Sequence, residues 1–543
     1  MTEIAPGGFS LADLRGQELV WICEFTWAGE TLYLSRSRET DVPAGPDGAD
    51  VECFDGLEWG EEQPDDLSLL QDTLESKRAS LTLHLYPELD VPARISEGHN
   101  LATATGRLRL WPRGTTTVLD VIEGDMMDPT WDLPETPIVV TLEEDPVQDR
   151  SLWPASNAKV DADSWANHDP AIEGEFYPWV FGGPGTTTTT DTWTPGLIVD
   201  TASAPMKILI AGHACPLASN VDVVNVTQGT QAVRAVQHMQ DGHGRMIAYV
   251  EPALGWLAAG DEVWINWYSG GARAWGHVSP FDGSEPLRGA GDLLIWWLRQ
   301  STVRFDAGRL AAVRARLNEY KIDTYVVADP GSRISPYHWV QDNLLPILPV
   351  SPRIGPRGLY FVVWDLKSTA EDARVHLKEG LNCERAGPVT TTSRNEVATE
   401  VTVSYHHDPR EGEPTARLVL TGDDVTLDQD ADARRSFQAR RAWLQQRTNI
   451  CYELAAPHVQ DASTAGLIAA TEIRRRGLQW DLLSYDVDQE IAGQLDPGDV
   501  VALTDVGRSI NNRPCLVVSR PWLSDGRMPV GLQGHMGVLG GVV

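Results

Sequence analysis

The stretch from Ser463 to Thr504 constrains this chain most, because a helix, a strand and a turn that launches another strand follow one another there. Ser463 is placed to cap a helix carrying Ala465, Ile468, Ala469 and Ile473 on one face at spacings of three and four. Arg474, Arg475 and Arg476 fall in its last turn, where positive charge suits the open carbonyls, and Gly477 ends it. Leu478, Trp480 and Leu482 then alternate with Gln479, Asp481 and Leu483, the pattern of a strand with one face more buried than the other. In Asp496-Pro497-Gly498-Asp499, Pro497 presets a turn and Gly498 takes positive φ without steric cost, so the turn starts the apolar strand Val500 to Leu503. Cys515 to Ser519 is expected to pair with that strand across the loop Asp505 to Pro514. The product is a helix feeding a small antiparallel barrel or sheet.

Strand signals dominate elsewhere too. Leu81, Leu83 and Leu85 alternate with Thr82, His84 and Tyr86, Leu108 and Leu110 alternate with Arg107 and Arg109, and Val118 to Ile122 and Ile138 to Leu142 continue the series. Asp41 to Asp66 reads as a long, acidic, exposed loop. Gly182-Gly183-Pro184-Gly185 and the threonines Thr186 to Thr190 mark a change of composition, with a boundary just before it. Strands resume over Lys207 to Ala211, Val221 to Val226, Ala232 to His238, Met246 to Val250 and Val263 to Trp267. Leu257 to Val263 echoes Leu495 to Val501, which fits either two related barrels or convergence on one kind of turn. Leu293, Leu294, Trp296, Trp297 and Leu298 make a buried helix, Asp306 to Tyr320 an amphipathic one, and Pro336 to Leu345 a third, before the buried strand Leu359 to Trp364. Asn395 to Leu420 returns to strands, and Asp432 to Gln446 reads as a polar helix. The fold class is mainly β with α+β insertions, in four units: residues 1–150, a β-barrel; 151–285, a second β-rich domain; 286–390, a small α/β module; and 391–543, a strand, helix and barrel.

With 543 residues the chain is long enough for several cores, and 42% hydrophobic residues with 20 tryptophans mark it as folded. Its net charge of −33 argues against binding nucleic-acid phosphates or an anionic membrane. Six cysteines, at 23, 53, 215, 383, 451 and 515, stand far apart without a C-x-x-C and read as free buried thiols. The N-terminal residues lack the basic and apolar regions of a signal peptide, and no apolar run is long enough to span a bilayer, so synthesis in a cytoplasm is expected.

Chemistry-bearing patterns are sparse. Asp428, Asp430 and Asp432 begin like a calcium loop, but Ala433 and Ala439 stand where that loop needs glycine and a bidentate glutamate. His213, Cys215, His238 and His243 are zinc-ligand types at a spacing that matches no finger or protease motif. His406 and His407 are adjacent on a strand and so point to opposite faces. No G-x-S-x-G elbow occurs, and the glycine run at 182 to 185 lacks the Lys-Ser/Thr of a phosphate loop. An Asp/Glu pair for glycoside hydrolysis is open, since sequence does not give carboxylate separations. Trp296, Trp297, Trp364 and Trp480 lie in apolar patterns and read as core, not as sugar platforms. No catalytic, cofactor or metal residue is assigned.

The ordered set of helix, strand, "LDPGDVVALT", "PCLVVSRPW" and a last strand resembles the end of the tail hub (baseplate hub) proteins of tailed bacteriophages, in particular those of long non-contractile tails and gene-transfer agents. The run Asn395 to Asp408 is similar to the "N-x-V-x-V-x-Y" strand preceding the helix in that family, and "FYPWVFG" (Phe176 to Gly182) resembles a phrase found in some tail proteins. The resemblance covers roughly the last third of the chain. It implies a structural, non-enzymatic virion protein at the tail tip. There a homotrimer with two barrels per chain forms a pseudo-sixfold ring between a sixfold tail tube or distal tail ring and a threefold tip. The implied partners are the distal tail protein or tube ring, the tape measure protein, and tip or fibre proteins, with roles in host cell attachment and DNA ejection. The N-terminal strands and the C-terminal barrel are the expected barrel pair. The chain ends in "GHMGVLGGVV" without an appended lysozyme or peptidase module, so cell-wall cleavage is not expected. A tail-associated glycan depolymerase using an Asp/Glu pair, and a non-catalytic carbohydrate-binding adhesin, are the alternatives.

Overall fold

The computed structural model describes residues 19–534 except 46–47, 60–63, 67–77, 86–87, 117, 133–136, 145–148, 185–192, 203–204, 217–219, 254, 270–271, 282–284, 356, 365–367, 394–396, 408–412, 422–449, 478, 493–494, 496 and 522–527. The polar helix expected over Asp432 to Gln446, the acidic run from Asp428 and the threonine run lie outside the described residues. The architecture is mainly β with helical insertions, and alternating strands close on themselves in three places.

The first closed unit contains β1 (Leu19–Trp27), β2 (Glu30–Ser35), β3 (Val51–Asp55), β4 (Leu57–Trp59), β5 (Pro64–Asp66), β6 (Arg78–Leu83), helix α1 (Val91–Ser96), β7 (Thr105–Pro112), β8 (Leu119–Thr130) and β9 (Ile138–Glu144). Its neighbours run β2-β1-β7-β8-β9-β6-β4. The run from Val51 to Trp59 closes it: β3 lies parallel to β2 through Leu34 and Phe54, and β4 lies antiparallel to β6 through Leu57 and Leu83. Gly56, the pivot, donates its amide to Ser35 and accepts one from His84. A Cβ there would sit 2.6 Å from the His84 carbonyl oxygen, so the crossing needs glycine. Inside are Phe25, Leu34, Leu57, Leu81, Leu83, Leu108, Ile122 and Leu142, inward-pointing members of alternating strands.

The second unit is closed by two strands that change sheets. These are β10 (Thr194–Pro195) continuing into β11 (Leu197–Asp200), and β14 (Thr230–Ala235) continuing into β15 (Gln237–Gln240). They join the pairs β12 (Lys207–Ala211) with β16 (Met246–Val250), and β13 (Asn220–Asn225) with β17 (Val263–Asn266). The strand expected over Ala232 to His238 is therefore two, broken at the buried Val236 where the chain turns the corner.

The helices α2 (Ala290–Gln300), α3 (Ala307–Leu317) and α4 (Pro336–Asn343) follow, with the hairpin β18 (Val350–Gly355) and β19 (Gly358–Val363). Asp306 caps α3 by accepting amides from Gly308 and Arg309, and α2 is buried almost all round. Its Leu293, Leu294 and Trp297 share one core with Val401, Val403, Ala465, Ile468 and Ile473. Those residues belong to β22 (Glu400–His407), flanked by β23 (Pro414–Thr421) and β24 (Cys451–Ala456), and to α5 (Ala462–Arg476), so the helical core extends past residue 390 into the C-terminal third.

The last unit comprises β20 (Val375–Lys378), β21 (Cys383–Arg385), β25 (Asp481–Val487), α6 (Gln489–Ala492), β26 (Val500–Asp505), β27 (Ile510–Pro521) and β28 (Met528–Gly534). Val501 pairs with Cys515 as the sequence predicts, and Gly498 has φ +99°. Three expectations are corrected. Asp461, not Ser463, caps α5: its carboxylate accepts the Thr464 amide at 2.8 Å and the Thr464 hydroxyl at 3.0 Å, while the Ser463 hydroxyl bonds to Asp461 itself. The strand after Gly477 begins at Asp481, with Leu483, Tyr485 and Val487 on its buried face, because Trp480 first packs with Trp364 and Leu516 outside the barrel. Of the six free cysteines five are buried and Cys451 is exposed, since β24 turns it outward.

Candidate functional site

The residues with metal-ligand character are not brought together. His213 accepts the Val180 amide on Nε2 and donates Nδ1–H to the Ala214 carbonyl, which fixes a neutral ring. Burial, with His277 beside it, pushes its pKa down to about 3. His238 accepts the Cys215 amide, and His243 bonds Asp161 at 3.0 Å. Each histidine is thus committed to its own partner, and among the described residues no group of three ligands converges. His406 has φ +59° and pairs its Nδ1 with the Thr415 hydroxyl at a strand end. Trp296, Trp297, Trp364 and Trp480 are core, with Trp297 stacked on Trp339 at 4.5 Å between centroids. Among the described carboxyls two are raised. Asp323 is raised by burial against the opposing Arg288 and Arg273, and Glu175 by burial and the nearby charge of Asp329.

Sequence reading missed the place where the two ends of the chain meet. β4 and β6 are hydrogen-bonded neighbours, yet the connection between them, residues 60–77, is far longer than a hairpin needs. Within it β5 lies antiparallel on β27 of the last unit, with Asp66 opposite Ser519, Asp65 opposite Arg520 and Pro64 opposite Pro521. It occupies the edge that β26 vacates: the final rungs of β26 are Gly498 amide to Val517 carbonyl at 2.7 Å and Val517 amide to Asp499 carbonyl at 2.9 Å. Arg374 holds that corner by donating to Asp499 at 2.6 Å. The glycine turn and the strand from the N-terminal unit therefore share one sheet edge.

At the opposite end of β26, Asp505 is excluded from solvent and accepts from Arg385 Nε at 2.7 Å and from the Tyr485 hydroxyl at 2.7 Å. These bonds hold its carboxyl well below the usual range. They anchor the turn bearing Val506, which is 85% exposed, beside the turn bearing Leu381, 70% exposed. The two turns lie at the same rim because β20 runs parallel to β26, with Lys378 opposite Thr504. A signal for this cluster was present in sequence only as the polar loop after Thr504.

No known protein family matches the chain, and no curated protein does. Among solved structures it is similar to the tail protein from Neisseria meningitidis MC58, at 9% identity and TM-score 0.36 over 96% of this chain and 98% of that one. It is similar also to the 43 kDa tail protein of prophage MuSo2 from Shewanella oneidensis, at 11% identity and TM-score 0.35 over 96% and 100%. A third is prophage tail protein gp18 from Listeria monocytogenes EGD-e, at 9% identity and TM-score 0.24 over 64% and 89%.

Proposed function

We propose that this chain is a structural phage tail protein and, more narrowly, a tail hub. On this reading three copies form a ring that adapts a sixfold tail tube or distal tail ring to a threefold tip around a channel for tape measure and DNA. The observation that carries it is a duplicated barrel. The series β6-α1-β7-β8-β9 in the first unit and β25-α6-β26-β27-β28 in the last have the same element order and the same pairing within the series, the first barrel holding β1 and β2 in addition between β7 and its closing run. In both, the first strand pairs with the fourth, the fourth with the third and the third with the second. Both are closed by a run that lies parallel to one strand and antiparallel to that first strand, Val51 to Trp59 in one and Val375 to Arg385 in the other. Two like barrels in each of three chains make six, which reconciles the two symmetries.

The barrels carry no assigned chemistry, and the proposed role is scaffolding at the tail tip without catalysis. Counting copies per particle by quantitative mass spectrometry tests the hub: three are expected, and one or six would overturn it. Release of reducing sugar from host glycan that disappears in Glu175→Gln would overturn the absence of catalysis, since Glu175 beside Asp329 is the raised carboxyl a glycosidase would need.

A further inference from the structure

Tyr268, Arg273, Trp275 and Arg288 form a row of alternating aromatic and cationic side chains where the second unit meets the helices. Tyr268 stands opposite Arg273 across a short antiparallel pairing. Beyond Arg273 the chain alternates: Ala274 and Gly276 are buried, while Arg273 and Trp275 keep partial exposure on the other face. Arg288 comes from the run that leads into α2. The Arg273 guanidinium lies 5.8 Å from the Tyr268 ring centre and 5.7 Å from that of Trp275, and the Arg288 guanidinium lies 5.2 Å from the Trp275 ring centre.

The Arg288 and Arg273 guanidiniums approach the same oxygen of Asp323, at 2.7 and 3.5 Å, and so stand side by side. The Asp323 side chain is excluded from solvent, and its other oxygen accepts the Gly183 amide at 2.9 Å. Arg273 also donates to the Gly183 carbonyl at 3.0 Å. Asp461, 3.8 Å from Arg288, is engaged in capping α5. One committed carboxylate therefore answers two cations. Among the described residues, Arg273 Nε and Nη2 and Arg288 Nε and Nη1 have no acceptor, and Arg288 Nε is closed off from water. Buried guanidinium donors are ordinarily paired, and planar forks of this kind match the two oxygens of a carboxylate. We infer that Arg273, Arg288 and Trp275, with Tyr268, bind an acidic saccharide: its carboxylate meets the two guanidiniums and its ring lies against the aromatic side chains.

The surroundings select that class over other anions. Single-stranded DNA also suits arginine and aromatic groups, but a long polyanion would run out over a chain of net charge −33. A sugar with one carboxylate presents its charge only at the two guanidiniums, and charges beyond the screening length of about 10 Å act on it weakly. Inorganic phosphate fits the forks and leaves Tyr268 and Trp275 unused, whereas a neutral sugar leaves the guanidiniums unanswered. The site adds binding to the proposed scaffold and is independent of how many copies a particle holds.

The test is calorimetric titration of the full chain with digalacturonate, beside lactose, inorganic phosphate and a thymidine oligonucleotide. Digalacturonate is expected to bind at least tenfold tighter than each of the others. Arg273→Lys keeps the charge beside Asp323 and removes the fork, and Trp275→Leu removes the ring. Each is expected to weaken binding at least tenfold with the urea midpoint unchanged. Arg299→Gln, which alters an exposed guanidinium 4.8 Å from the Phe281 ring centre, is the control and should leave binding intact. No binding of digalacturonate, equal binding of phosphate or oligonucleotide, or binding that survives both substitutions overturns the inference. Should either variant unfold, amide exchange in the parent chain decides: protection by digalacturonate over residues 272–277 supports the site, and protection only elsewhere, or none, overturns it.

Discussion

Gly498 carries two constraints at once. Its φ of +99° is a region that side chains with a β-branch strongly disfavour, and a Cβ built there runs into Val362. Gly498→Val should cost at least the 1–3 kcal/mol, roughly, of a strained backbone position. Limited proteolysis is expected to cut the last barrel while sparing the first; a urea midpoint equal to that of the parent chain would contradict this. Asp505 shows a different cause. Removing it leaves Arg385 and the Tyr485 hydroxyl without their acceptor at a braced rim. Asp505→Ala is expected to destabilise by about 1–3 kcal/mol, the cost of leaving the buried Tyr485 hydroxyl without its acceptor, since the half-exposed Arg385 regains water. The turn was legible because Pro-Gly chemistry is local. The Asp505 cluster was not, because its members come together only when the run Val375 to Arg385 closes the barrel between β26 and β25.

At the scale of elements, the Ser463 to Thr504 reading gave the helix, the following strand and the turn in the right order, placed the turn correctly, and misplaced the starts of the helix and of the strand after it. A capping serine and a capping aspartate two residues apart look equivalent in sequence, and the carboxylate of Asp461 prevails by accepting both the amide and the hydroxyl of Thr464. β5 is the element with the most to test. Replacing residues 60–77 by an Asn-Gly turn should leave the β4 and β6 hairpin intact, since those strands already pair. It should expose the edge of β27, so amide exchange at Ser519 and Arg520 is expected to quicken by an order of magnitude or more, corresponding to a local loss of about 1.4 kcal/mol. Unchanged exchange there would show that β5 does not protect that edge.

Across the whole molecule, buried neutral histidines sit where units join. His458 bonds Thr324 and Asn343, tying the C-terminal third to the helical layer, and burial pushes its pKa down to about 4. His213 joins the second barrel to the strand around Val180, with a pKa near 3. Both lie below the ordinary value near 6.5, so the native state binds fewer protons than the unfolded chain. Their contribution is present in full above that ordinary value and is lost as the pH falls from about 6.5 towards 4. The unfolding free energy read from urea titration should drop over that window by an amount on the order of 2–3 kcal/mol per histidine, and His458→Gln should flatten the slope. A midpoint independent of pH between 7 and about 4.5 would refute this.

Sequence alone determined the class: alternating residues fix strands, apolar periodicity fixes α2 and α5, and Pro497-Gly498 fixes a turn, because each depends on neighbours a few positions away. It also placed barrels at both ends of the chain, through strand patterns and a resemblance. The tertiary structure alone decided closure, since Val51 to Trp59 and Val375 to Arg385 reveal their roles only in the partners on each side. It alone decided that β5 crosses to β27, a pairing between residues more than 450 positions apart that no local pattern encodes. Strand propensity states that an edge will form, while long-range packing selects what covers it.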